Sequence, residues 1–185
     1  MNTSLLSDRL WPASGASLGR GAVLAILGSL VVAAAAQVNV PMLPVPMTLQ
    51  TLAVLMIGAA YGARLGAATL ALYAFEGAVG LPVFAGFQSG VMLATFGYVL
   101  GFIPAACVVG FLAERGWDRS APRMFAAMLL GAAVLYMPGL LWLSAWIGAE
   151  KAIAFGLLPF IAGDVVKAAV AALGFPAAWA LLSRH

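Results

Sequence analysis

The sequence predicts an all-α membrane protein: a compact bundle of six transmembrane helices with both termini cytoplasmic. Two observations carry this. Of the 185 residues, 64% are apolar and only 8% are charged, against roughly 45–50% and 25% in soluble domains. A soluble fold of this length must cover its surface with polar groups, and this chain has too few; the bilayer is the solvent that removes the demand. The apolar residues also fall in long runs rich in Ala, Leu, Val and Gly, unlike the roughly ten-residue alternating segments of a membrane barrel.

The net charge of +3 implies no nucleic-acid partner, because the basic residues are spread over several loops. The one cysteine, Cys107, lies in an apolar run. No disulfide can form within a monomer, and a small packing residue is the favoured reading.

Charges and Pro/Gly punctuation place the spans at about 20–38, 48–63, 64–80, 91–113, 123–147 and 160–182. Residues 1–19 are then a cytoplasmic N-terminal segment, and 20–185 the transmembrane domain. The first span imitates a signal peptide, with Arg20, an apolar run and "AAAAQ"; the long leading segment and the spans that follow favour its retention. Pro44 and Pro46 make the first loop stiff and partly extended. The second and third spans are short and meet at Tyr61-Gly62-Ala63-Arg64, which predicts a tight hairpin.

Topology follows from the cations. With six spans the termini share a side, and that side collects Arg9, Arg20, Arg64, Arg115, Arg119, Arg123 and Arg184. The other side's loops, 39–47, 81–90 and 148–159, carry only Lys151. By the positive-inside rule the arginine-rich side is cytoplasmic. The last span therefore enters from outside near Pro159, and at about 1.5 Å per residue Asp164 and Lys167 lie roughly one and two turns in.

Two readings compete for this pair. In one, Asp164 follows Gly163 and caps the last helix, with Lys167 snorkelling or pairing at i,i+3. Its weakness is that a cation in the first turn opposes the helix dipole and needs an anion. In the other, intramembrane ionisable groups mark a substrate site. Asp164 offers acceptors to N–H donors, Lys167 offers charge to a carboxylate or a bond to a carbonyl. Together they suit a small ligand with an amide- or urea-like head and an acid group.

Other polar and aromatic residues gather in the outer half: Thr48, Gln50 and Thr51 in "MTLQT", Phe84, Phe87, Gln88 and Ser89 in "VFAGFQSG", and Tyr98. Trp142 and Trp146 share a face of span five, where an interfacial anchor or a pocket wall are both open. Glu76 reads as a solvated end charge more than a cavity residue. Gly21, Ala25, Ser29 and Ala33 give the first span a small-residue stripe, which suits either internal packing or a partner helix. No G-x-x-x-x-G-K-[ST] loop occurs, and the only histidine is His185. These features disfavour an enzyme.

Three segments in this order, "PVPMTLQTLAVLMIGAAYGARLGAATLALYAFEGAVGLPVFAG" (44–86), "FGYVLGF" (96–102) and "LPFIAGDVVKAAVAAL" (158–173), closely resemble the BioY family of biotin-specific substrate-binding subunits of energy-coupling factor transporters. The resemblance runs from about Pro41 to the last span. It implies biotin as the transported ligand, with no cofactor. It also implies a transmembrane coupling subunit and cytoplasmic ATPase subunits as partners in the plasma (inner) membrane, and an outward-facing pocket built from the first and third outward loops and helices four to six. By position, Asp164 and Lys167 fall on the family's polar biotin contacts, with Asp164 assigned the ureido N–H groups and Lys167 the carboxylate or ureido oxygen. Phe84 and Gly86 fall in the loop over the ligand, and Gln50, Thr48, Tyr98 and Trp142 are further candidate contacts. Ala25 and Ser29 are the closest equivalents of the family's Ala-x-x-x-Ala docking surface. An asparagine near Gly86 and an arginine in the fourth span, which relatives use, are absent. A self-sufficient, proton-coupled carrier using Asp164 or Glu76 is the alternative.

Overall fold

In the computed structural model, which describes residues 5–10 and 18–182, helices account for nearly all of the architecture. They are α1 (Leu6–Leu10), α2 (Leu18–Gln37), α3 (Gln50–Ala78), α4 (Phe96–Ala113), α5 (Ala121–Ile147), α6 (Ala149–Gly156) and α7 (Leu158–Leu182). A two-stranded antiparallel ribbon joins α2 to α3, with β1 (Asn39–Val40) pairing β2 (Met47–Thr48) in the register Asn39 opposite Thr48.

α3 is two helices joined at a reversal. Gly62 has φ 82 and ψ 178, which separates an arm over 50–61 from one over 63–78. The Gln50 side chain reaches the hydroxyl of Tyr73 at 2.7 Å although the two are 23 residues apart; a straight helix would hold them about 35 Å apart. The expected hairpin is therefore present and turns on Gly62. The left-handed φ is one that glycine adopts freely and L side chains do not. Space is short as well, since a Cβ there would lie 2.6 Å from Oε1 of Glu114. That carboxylate accepts the N–H of Ala63 at 2.8 Å and so satisfies a free donor at the start of the second arm.

Around the bundle α2 packs on α3, α3 on α4, α4 on α5 and α5 on α7. Five helices are long and apolar enough to cross a membrane, and the two arms of α3 make six passes. Pro104, Pro138 and Pro176 lie inside α4, α5 and α7, which neighbouring helices in a membrane bundle tolerate. Close crossing comes from glycines: a Cβ on Gly58 would lie 2.5 Å from the carbonyl oxygen of Ala106, and one on Gly101 2.4 Å from that of Leu135. Cys107 faces out of the bundle and is no core residue.

Three boundaries depart from expectation. α4 starts at Phe96 rather than near 91, because Trp142 donates its indole N–H to the carbonyl of Leu93 at 2.9 Å and holds the approach as a separate, non-helical segment. The stretch expected as a third loop contains α6, an eight-residue helix. Helix α7 begins at Leu158, so Asp164 stands inside it and cannot be its N-cap.

At the arginine-bearing end, the Asp118 carboxylate is 1% exposed. It accepts the indole N–H of Trp179, and the Arg119 guanidinium lies 4.5 Å above the same ring. Burial pushes the Asp118 carboxyl above the ordinary carboxylate range, although the Trp179 bond and Arg119 pull it down.

Two outcomes follow. Gly62→Ala should lower stability in detergent by about 1 kcal/mol or more, from the left-handed φ alone; an unchanged melting temperature would mean the reversal does not depend on glycine. For Asp118 the folded pKa is the raised one, so the folded state binds the extra proton and stability falls as pH rises through that value. Asp118→Asn, which keeps an acceptor for Trp179 without the charge, should melt higher than the parent at neutral pH. The gap should close toward acid, and a gap independent of pH would contradict the assignment.

Candidate ligand-binding site

The end of the bundle opposite the arginines holds a cavity enclosing about 640 Å³ between its walls, mouth included. It is lined by Val45, Pro46 and Thr48 from the first loop, Phe84, Ala85 and Gln88 from the second, and residues of α3, α4, α5 and α7. The second loop lines it as its Phe84 was expected to, whereas no residue of 148–157, in the third loop, does. Tyr98, Val99, Phe102, Leu135 and Phe160 make the walls apolar and aromatic, and Thr48, Gln50, Thr51, Gln88, Thr95, Tyr136 and Lys167 supply the polar groups. An apolar wall with a short polar inventory is the usual form of a small-molecule site. A larger groove, about 1040 Å³, lies between α2, α3 and α7, but it is lined by apolar side chains alone and offers nothing to orient a ligand.

The polar floor is one connected network. The Lys167 ammonium donates to Oγ1 of Thr51 at 2.7 Å and to Oδ1 of Asp164 at 3.1 Å. Thr51 donates in turn to Oδ1 of Asp164 at 3.2 Å, and the Tyr136 hydroxyl donates to Oδ2. The side chains of Lys167 and Asp164 are 14% and 9% exposed. Helical spacing builds the pair, since i,i+3 positions share a face, and the face is the buried one that also carries Phe160, Ala168 and Ala171. Two of the three ammonium protons are thus bonded within the protein, and the third is available to the cavity.

The roof is clamped by amides. Gln37, at the end of α2, donates to the carbonyl of Phe84 at 3.0 Å and accepts the N–H of Phe87 at 3.2 Å. Phe87 and Gly86 both take left-handed φ, at 58 and 68, which turns the segment sharply back. Phe84 is driven into the core, 3% exposed, edge-on to Tyr73 with centroids 5.5 Å apart. On the far wall the Tyr98 hydroxyl donates to the carbonyl of Gly156 at 2.9 Å, and its ring stands perpendicular to that of Tyr136 at 6.2 Å.

Of the residues expected at the site, Thr48, Gln50, Phe84, Tyr98 and Lys167 line the cavity. Asp164 does not. It sits behind Lys167 against a small void, with both oxygens already accepting from protein donors, so it acts on the site as the counter-ion of Lys167. Gly86 is on the exposed turn of the roof, and Ala85 is the residue that faces inward. Trp142 is spent on Leu93 and on the ring of Phe96, 5.9 Å away, and Trp146 is 51% exposed; neither lines the cavity. Ser29 is fully buried, its hydroxyl 3.0 Å from the carbonyl oxygen of Ile26 and 3.1 Å from Oε1 of Glu76, so it lies in the seam between α2 and α3 and cannot belong to an external docking face. Ala25 is half-buried. Glu76 is partnered within the protein and is absent from the cavity lining.

Tyr136, Tyr73 and Gln37 were not singled out in the sequence. Each carried a usable signal: a phenol or amide inside an apolar span must find a partner there.

The chain matches the model of the BioY family over residues 8–184. Similar proteins include a probable biotin transporter BioY of Pyrococcus horikoshii, 39% identical over 75% of this chain and 83% of that one. Biotin transporter BioY of Thermotoga maritima is 37% identical over 75% and 83%. Among solved structures, the S-component for biotin from an ECF-type ABC transporter superposes with a TM-score of 0.73, covering 86% of this chain and 90% of that one at 20% identity. At that identity the likeness is one of fold.

The network makes its own prediction. Tyr136→Phe removes one donor from a buried carboxylate that keeps two others, and should cost about 1–3 kcal/mol of stability. Lys167→Met strips Asp164 of its counter-ion and should cost more, about 3–5 kcal/mol. Thermal melts in detergent that ranked the two the other way round would show that the ion pair is not the centre of the network.

Proposed function

Because the chain belongs to the BioY family, we propose that this multi-pass membrane protein captures biotin for uptake as the substrate-binding subunit of an energy-coupling factor transporter. The family is one of transporters rather than enzymes. The observation that carries the reading is the single cation of the cavity, Lys167, set in an aromatic and aliphatic wall. Biotin brings a fused apolar ring for the wall, an acid for the ammonium and a cyclic urea for the remaining polar groups. The carboxylate goes to Lys167. Asp164 holds that ammonium in place and does not meet the ureido group.

The placement of the cavity at the end away from the arginines supports an outward-facing pocket, with the termini cytoplasmic, in the plasma (inner) membrane. The partners are a transmembrane coupling subunit and cytoplasmic ATPase subunits. On α2 the surface open to such a subunit is the apolar one bearing Val23, Ile26, Leu27 and Leu30, each exposed, beside Ala25.

A calorimetric titration of the purified protein against biotin and other vitamins tests this directly. Biotin alone should saturate one site, and Lys167→Ala should weaken it by about tenfold to a hundredfold, the worth of a charged hydrogen bond. Equal affinity in parent and variant would remove Lys167 from the site. Vesicles containing this chain alone should not concentrate biotin on a proton gradient, whereas adding the coupling subunits and ATP should enable uptake; accumulation by the chain alone would favour the self-sufficient carrier.

A further inference from the structure

We infer that Gln50 is the specificity-determining acceptor of the cavity for a ligand N–H, and that Tyr73 is the positioning residue that keeps its amide turned the right way. The inference rests on the biotin reading and deepens it by fixing which end of the ligand meets which wall.

The argument is one of hydrogen-bond direction. The Tyr73 hydroxyl has a single proton and lies 2.9 Å from the carbonyl oxygen of Val83, which can only accept. That commits the proton. Toward Gln50, at 2.7 Å, the hydroxyl is left as an acceptor, so the amide must present its NH₂ to Tyr73. The other end of the amide agrees. Oγ1 of Thr48 accepts the backbone N–H of Gln50 at 3.1 Å, which frees the threonine proton for Oε1 of Gln50 at 3.3 Å. Two independent neighbours therefore set the same orientation, with the nitrogen turned into the core and the oxygen toward Thr48 and the cavity.

Burial makes the orientation costly to reverse. Tyr73 is fully buried and Gln50 is 6% exposed, and a flipped amide would set two acceptors face to face away from water. Tyr73 does not line the cavity while Gln50 and Thr48 do, so the donor half of the amide is withdrawn and the acceptor half remains. Lys167 offers the reverse, donors with no acceptor. The cavity is thus polarised. A ligand must bring an N–H group to Gln50 and an acceptor or anion to Lys167, which in biotin assigns the ureido N–H to Gln50 and the carboxylate to Lys167. The carbonyl of Val83 belongs to the roof segment that leads to Phe84, so the same relay also ties the roof to the amide.

The test uses the whole protein in detergent and calorimetric titration with biotin, with biotins methylated at one or the other ureido nitrogen, and with biotinamide, which lacks the acid. The parent should bind at least one methylated biotin about tenfold or more weaker than biotin. Gln50→Leu and Tyr73→Phe should shrink that ratio by about threefold to tenfold, while the biotin-to-biotinamide ratio, which reports Lys167, stays at the parent's value. Variants that discriminate the methylated ligands as the parent does would overturn the inference and leave the biotin reading standing. A parallel loss of both ratios in both variants would also overturn it, because it would mark a purely structural role. A parent that binds no biotin at all would end the functional reading, and this inference with it.

Discussion

A cation placed inside an apolar bundle has to be compensated, and Lys167 sets the terms for everything around the cavity. Its ammonium is held by Asp164 and Thr51, and Asp164 in turn takes a proton from Tyr136. Three elements, the first arm of α3, α5 and α7, are tied at one point as a result. The geometry also explains why the charge survives there. Two of the three ammonium protons are satisfied by the fold. The aspartate is best understood through the lysine. Withdrawn behind the ammonium, the carboxylate stabilises the cation and fixes its position.

A second constraint acts on the loops. Backbone groups that leave regular helix need partners, and the roof over the cavity is an irregular segment. Its polar groups are met by side chains projecting from helices: Gln37 bonds Phe84 and Phe87, and Tyr73 bonds Val83. Behind the roof, Trp142 bonds Leu93. These four contacts make the roof a built part of the site. Through Gln37 they also connect it to α2.

The small-residue stripe of α2 shows how one pattern can serve two ends. Gly28 and Ser29 face α3: a Cβ on Gly28 would meet Thr69 at 2.6 Å, and Ser29 bonds Glu76. Spacing on a helix identifies a face that permits close approach and says nothing about which neighbour approaches. Close crossings are made also by glycines of α3 and α4, among them Gly58, Gly97, Gly101 and Gly110, which the spacing on α2 did not reveal.

Much of this molecule was legible in its sequence. Apolar runs broken by Pro, Gly and charge marked six spans because membrane thickness and the absence of water dictate length and composition, and Gly62 beside Arg64 marked the hairpin. Lys167 stood out because an ionisable group is expensive in a bilayer. Which polar residues would share a cavity, and which would be used up in holding one another, depended on contacts between segments far apart in the chain. Asp164, Trp142 and Ser29 looked available as types and proved occupied by Tyr136, Leu93 and Glu76; Tyr136 and Tyr73, unremarked in the sequence, bond Asp164 and Gln50. Composition and periodicity therefore determined the bundle and marked Lys167 as a cation within a span, since both follow from the solvent. Tertiary structure alone decided the direction of each hydrogen bond, because a donor or acceptor has no free valence until its neighbours are in place.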